Sequence, residues 1–179
     1  MLFYKREYEY IIPQSFLFFH STLNYFFSDL SYWTCQIYIM KIDINMVTTS
    51  KDYKLCLEIR RKVFVQEQNI DEKLENDDHI IDASYIIAFK ELLPVGTARY
   101  RKTDLGIKLE RFAVLKEFRY LGVGKSLLKF LLNKLSKEKK IYLNSQKKVV
   151  NFYEKSGFKK LGKIFYEAGV PHYKMIYIK

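Results

Sequence analysis

The chain is poor in the residues that staple a fold from outside its core. It holds only 2 cysteines and 3 prolines among 179 residues. Cys35 and Cys56 fall in different kinds of segment, and neither has a His or Cys at ligand spacing, so a disulfide framework and a zinc site are both disfavoured and no metal is expected. Cys56 instead shares a predicted helix face with Tyr53, Ile59 and Val63, the setting of a small buried hydrophobe. Such cysteine usage fits a reducing compartment, and a cytoplasmic location is expected. Internal repeats and low-complexity segments are absent too. With 49% hydrophobic residues the chain is no solvated polymer and can build one domain with a full core.

Long uninterrupted apolar runs are also lacking. Residues 1–39 are crowded with aromatic and aliphatic side chains, yet Pro13, Gln14, His20, Asn24, Ser28 and Asp29 cut them into pieces shorter than a spanning helix. A secretory signal matches poorly, because the basic start is mixed with Glu7 and Glu9 and no small-residue cleavage site follows. The segment reads as an extension outside a domain of residues 40–179, with membrane association through residues 1–39 as the less favoured alternative.

Acid is the scarce charge. The formal net charge is +11, and since residues 1–39 hold 2 basic and 3 acidic side chains, the whole excess falls on the remainder. An anionic partner is expected. The lysines are scattered, and their densest run, Lys137 to Lys140, sits where a helix should end, which favours its dipole. With no nucleic-acid reader motif beside the charge, a small phosphorylated ligand is the better reading and nucleic acid the weaker one.

What is present is concentrated at Arg119-Tyr120-Leu121-Gly122-Val123-Gly124, between the apolar run Leu109 to Leu115 and the leucine-rich stretch Ser126 to Leu135. A strand leads into a turn, two glycines let backbone N–H groups converge, and the next helix points its positive end at the same spot. That is a cradle for phosphate.

Around it the pattern is regular. A strand over residues 42–47 precedes a helix capped by Thr49 or Ser50 and carrying Tyr53, Cys56, Ile59, Val63 and Phe64 on one face. An acidic stretch, Asp71 to Asp78, interrupts. Strands follow over 83–90, 95–101 and 109–114, with a hairpin expected at Leu93-Pro94-Val95-Gly96. After the glycine turn come the leucine helix, a strand over 141–143, a helix bearing Val149, Val150, Phe152 and Tyr153 that leaves at Gly157, and strands over 158–165 and 173–178 joined by Ala168-Gly169-Val170-Pro171. The order β, α, β, β, β, α, β, α, β, β predicts an α+β fold, a mixed and mostly antiparallel sheet with helices on both faces.

The glycine turn together with Asn151-Phe152-Tyr153-Glu154-Lys155-Ser156-Gly157-Phe158 resembles the GNAT superfamily of acyl-coenzyme A-dependent N-acetyltransferases. Shorter matches keep the family's order: Arg61 to Gln68, Val95 to Arg99, Leu109 to Val114 and Glu167 to His172, as in a small stand-alone branch. Tyr120 and Leu121 depart from the Arg or Gly residues often found in the loop.

The resemblance implies acetyl-CoA as co-substrate and a GNAT fold. Its pantetheine arm would pair with Phe112, Ala113 and Val114, and its diphosphate would lie over Arg119, Tyr120, Leu121, Gly122, Val123, Gly124 and Lys125, with Asn151 near the arm. A backbone N–H near Phe112 or Val114 would polarise the thioester. Glu110 is implied as the base, with His79 and His172 behind it, and Tyr153 as the proton donor to the sulfur. Asn144, Ser145, Arg111, His79 and His172 would meet the acceptor, and Arg60, Arg61, Glu67, Glu75, Asp77 and Asp78 belong to the segment that shapes its pocket. The acceptor is expected to be a primary amine, glucosamine 6-phosphate by preference. Polyamines, other small amines, protein amines and a non-catalytic coenzyme-binding module stand as alternatives, and a homodimer is left open.

Overall fold

In the computed structural model, which describes residues 41–75 and 82–178, the strand patterns join into one seven-stranded sheet. The strands are β1 (Ile42–Met46), β2 (Ser84–Lys90), β3 (Leu93–Thr103), β4 (Gly106–Val114), β5 (Ile141–Gln146), β6 (Phe158–Glu167) and β7 (Val170–Tyr177). Their spatial order is β1-β2-β3-β4-β5-β7-β6, antiparallel throughout except for β4 beside β5. The helices are α1 (Ser50–Arg60), α2 (Glu72–Glu75), α3 (Val123–Lys134) and α4 (Val150–Glu154).

α1 begins as its sequence predicts, with the Thr49 hydroxyl accepting from the Asp52 amide at 3.1 Å. The periodicity predicts one helix reaching Phe64. Instead the backbone widens at Arg61 into π-type turns that run to Glu67, and the wider turn lets the consecutive Val63 and Phe64 both face the sheet. This layer packs Cys56, Ile59, Val63 and Phe64 on Tyr85, Ile87 and Ala113. Burial pushes the Cys56 thiol up to about 11, so it acts here as a small hydrophobe.

The opposite face carries α3 and α4. Leu127, Leu128 and Leu131 are fully buried against Ile86, Val95, Leu109, Leu143 and Met175, each contributing about 2 kcal/mol on transfer from water. Lys125, Lys129 and Asn133 face solvent, as the helical spacing requires. Close approach of α3 depends on Gly96. A Cβ there would lie 2.9 Å from Val123 Cγ1, 3.2 Å from the Ala113 carbonyl oxygen and 3.3 Å from Leu127 Cδ1.

Two further sequence expectations need correction. The β2–β3 turn falls at Glu91 and Leu92, with Glu91 at a φ of 57°, rather than over Leu93 to Gly96. Pro94 and Gly96 lie inside β3 at a bulge, one of the places where a strand tolerates a residue without an N–H to donate. The acidic stretch, read as an interruption, contains the short helix α2.

The feature that positions the site lies between β4 and β5. They pair through only Ile107↔Ile141, Lys108↔Tyr142 and Leu109↔Leu143, after which β4 runs on to Val114 and β5 to Gln146 without pairing. A bulge in β4 accompanies the separation: Thr97 faces Ala113 while Arg99 faces Glu110, and Arg111 takes a left-handed φ of 57°. Bulges bend a strand and increase its twist, which turns β4 away from β5. Among the described residues, no helix is long and apolar enough to cross a membrane.

Candidate active site

Beyond Leu109 and Leu143 each parted strand presents backbone N–H and C=O groups to the gap with no strand paired across it among the described residues. At the end of that gap β4 passes through a short 3₁₀ turn, Lys116–Phe118, into the glycine loop. Tyr120 takes φ 65° and is fully exposed, and Gly122 takes φ 85° as the cap of α3 with no side-chain hydrogen bond. The first α3 bond runs from the Ser126 amide to the Gly122 carbonyl at 2.9 Å, so the amides of Val123, Gly124 and Lys125 have no helical partner. No acidic residue occupies this first turn.

The cradle is open. A Cβ at Gly122 would meet nothing within 4 Å, and one at Gly124 would touch the Phe152 ring at 3.7 Å and Val114 Cγ2 at 3.9 Å. Unpartnered amides, a positive helix end and open space suit a diphosphate. The side chain of Arg119 lies elsewhere. Its Nε donates to the Val114 carbonyl at 3.0 Å, and its two terminal nitrogens donate to the two Glu67 oxygens. The Arg119 hydrogen bonds hold the Glu67 carboxyl below its usual range and raise Arg119 in return. Glu67, expected in the acceptor pocket, thus ties the π-type turns to the loop, and the groups the loop leaves open are backbone amides.

Tyr153 is buried on α4 among aromatic rings, edge-on to Phe152, Phe158 and Phe112 with centroids 4.9, 5.8 and 6.0 Å away. Burial raises its phenol well above the ordinary value, so the hydroxyl stays protonated through the neutral range. Phe112 brings this ring to the β4 edge, while Asn151 is exposed on the same short helix. α3 and α4 therefore bring the loop, Phe112 and Tyr153 to one end of the gap.

Glu110 is differently placed from a waiting base. Its carboxylate is 12% exposed and meets Arg99 at 2.7 Å, Arg101 at 2.9 Å and Lys108 at 3.1 Å. Burial alone would raise its pKa, but the three cations outweigh it and the carboxyl is held below its usual range, which works against taking a proton. Arg99 and Arg60, each 1% exposed, both donate to the Tyr85 hydroxyl, at 3.0 and 3.3 Å. Arg60 continues to Glu75, whose other oxygen lies 3.5 Å from Arg111 Nε. Arg60 and Glu75 are therefore enclosed and form no pocket rim. Arg61 pairs with Glu72 at the surface, 3.0 Å away.

On the acceptor side, strand alternation separates two residues expected together. Ser145 shares the face of Leu143, is buried, and donates to the Gln146 carbonyl at 3.1 Å. Asn144 lies on the opposite face, its Nδ2 donating to Glu167 Oε2 at 3.1 Å while its buried Oδ1 has no hydrogen-bond partner among the described residues. His172 Nδ1 lies 2.8 Å from the Val170 carbonyl, and the ring stacks on Phe165. His79, Asp77 and Asp78 lie outside the described residues. Glu167 and Gln68 enter the sequence reading only as ends of short matches, and neither the bond from Asn144 to Glu167 nor that from Gln146 Nε2 to Gln68 Oε1 at 2.9 Å is expected from it. The period-two alternation of Tyr142, Asn144 and Gln146 would have placed Gln146 had β5 been drawn to its full length. A surface depression of about 500 Å³ by Glu154, Gly157 and Lys160 lies at edge strand β6, away from this gap.

Comparison with known proteins gives the same picture. Residues 48–179 match the family model described as an acetyltransferase (GNAT) domain. An uncharacterized N-acetyltransferase of Bacillus subtilis, YjcF, is 38% identical over 122 residues, 66% of this chain and 86% of that protein. The crystal structure of Escherichia coli ElaA superposes with a TM-score of 0.68 at 28% identity, covering 77% of this chain and all of ElaA. A PaiA N-acetyltransferase from Thermoplasma acidophilum, solved in complex with coenzyme A, shares the fold with a TM-score of 0.60 at 20% identity over 77% of this chain and 99% of its own.

Proposed function

Because the chain belongs to the GNAT acetyltransferase family and is an acyltransferase, we propose that it moves the acetyl group of acetyl-CoA directly to a primary amine held in the same complex. The observation that carries this reading is the parted β4–β5 pair ending at the unpartnered amides of Val123 to Lys125. One extended ligand could pair with the edge formed by Phe112, Ala113 and Val114 and rest its diphosphate on the loop. A protein of the same fold, the PaiA N-acetyltransferase, was solved in complex with coenzyme A, which supports coenzyme A as the kind of ligand expected here. A backbone amide on that edge would draw density from the thioester carbonyl and stabilise the oxyanion as the amine attacks. Tyr153, protonated and at the edge, would donate a hydrogen bond to the departing sulfur. Asn151 would touch the coenzyme arm. No covalent enzyme intermediate is required.

For the acceptor, glucosamine 6-phosphate is the preferred reading. It rests on the basic excess and on Lys174, which sits beside Asn144 on the acceptor face in register with it. Arg111 is less available for that phosphate, being ion-paired with Glu75. Residues 1–39 are read as an extension outside the domain, and the protein is placed in the cytoplasm.

The test is thiol release from acetyl-CoA by the full chain across a panel of glucosamine 6-phosphate, glucosamine, spermidine and lysine peptides. Saturable release with a primary amine is expected. Coenzyme binding without release on any amine would favour a non-catalytic binding module instead.

A further inference from the structure

Resting on the acetyltransferase reading, we propose that His172 Nε2 is the atom that takes the proton from the attacking amine. The ring is 9% exposed and held in one orientation by two contacts. Nδ1 lies 2.8 Å from the Val170 carbonyl oxygen, and the Phe165 ring stacks on it with centroids 5.9 Å apart at 28°. A carbonyl oxygen only accepts, so in the neutral ring the proton sits on Nδ1 and Nε2 keeps its lone pair. The tautomer is thus set by backbone.

Its position is set by register. His172 lies opposite Gln146, the last residue of β5, where that strand has already parted from β4. Gln146 in turn holds Gln68, so β5, β7 and the π-type turns meet around this end of the gap. On the same face Asn144 Oδ1 is buried and has no hydrogen-bond partner among the described residues, an acceptor that an N–H or O–H of a bound molecule would satisfy. The charged groups on this face are Glu167 from β6 and Lys174 from β7; beside it lie Lys147 and Lys148 on the turn after β5 and Glu67 at the end of the π-type turns, paired with Arg119 and within electrostatic reach of Lys148, while β5 and the cap of those turns contribute the uncharged Asn144, Gln146 and Gln68. The rival base, Glu110, is committed to three cations, and Tyr153 keeps its proton.

The protons balance. An ammonium gives one proton to Nε2, the freed lone pair forms the C–N bond, and the C–S electron pair leaves on sulfur. The nitrogen then sheds its second proton. One of the two ends on the coenzyme thiol and the other passes from Nε2 to solvent.

The experiment compares kcat against pH for the wild type, His172→Asn and His172→Gln, using whichever amine the wild type acetylates best. Asn can keep the bond to the Val170 carbonyl while removing Nε2, which guards against a merely structural loss. Both variants should fall about 100-fold near neutrality with the KM for acetyl-CoA unchanged, and recover toward high pH, where the amine arrives already deprotonated. A wild-type profile in His172→Asn, or a loss equal at every pH in both variants, would overturn the proposal. A wild type inert toward every amine would instead overturn the acetyltransferase reading beneath it.

Discussion

The two sides of the gap hold their chemistry by different means. On the side proposed for the donor, from β4 into α3, the candidate groups are backbone amides exposed by Gly122, Gly124 and a left-handed Tyr120. On the side proposed for the acceptor the candidate groups are side chains, Asn144, Glu167 and His172, set by strand register and hairpin geometry. A backbone site needs only small residues at fixed spacing and tolerates change elsewhere. A side-chain site depends on which residue stands at each position, so it is where one family can serve many acceptors.

The sharpest way to break this contrast is Glu110→Gln. If Glu110 is part of the charge network that braces β4, removing its charge leaves the buried Arg99 poorly matched and should lower stability by about 3 kcal/mol, read from urea midpoints. The folded carboxyl lies below its unfolded value, so its stabilisation is complete above the ordinary glutamate range near pH ~4.3 and is lost as pH falls through the folded value. Wild type and variant should therefore converge in acid. Unchanged stability with kcat abolished would return Glu110 to the role of base.

Gly124→Glu tests the donor side. A charged side chain built toward Phe152 and Val114 should weaken coenzyme A binding at least about 100-fold, or ~2.7 kcal/mol, by calorimetry, whereas Gly124→Ala fits at ordinary contact distance and should change affinity by no more than about threefold. Tyr153→Phe should lower kcat about 10- to 100-fold and leave coenzyme affinity nearly intact. An unchanged kcat would remove Tyr153 from the chemistry.

Smaller effects refine the comparison. Gly96→Ala forces a methyl against Val123 and the Ala113 carbonyl, and should lose about 1–2 kcal/mol of stability. Glu67→Gln weakens a surface pair and should lose only about 0.5 kcal/mol, with a modest rise in the coenzyme Kd as the loop loses its tether.

Most of the donor side was legible in the sequence, because glycine spacing and a leucine repeat encode a loop and a helix locally. The β4 splay was not. It arises from a bulge at Arg111, a non-glycine residue with positive φ that no periodicity announces. The π-type turns after Arg60 were hidden for a similar reason, since Val63 and Phe64 also fit an ordinary amphipathic stripe. Side-chain commitments were the least legible of all. Arg119 and Glu67 stand 52 positions apart, and only folding shows that each occupies the other. The engagement of Glu110 with Arg99 and Arg101 follows from the β3–β4 register, which the expected strand ends at 101 and 109 left undrawn.

The central claim is that the amides heading α3 receive the coenzyme's diphosphate while its arm enters the gap between β4 and β5. A crystal structure of the protein with coenzyme A tests it directly. Phosphate oxygens are expected within hydrogen-bond distance of the Val123 to Lys125 amides, and the thiol near Tyr153. Coenzyme bound at another surface, with that loop unoccupied, would contradict it.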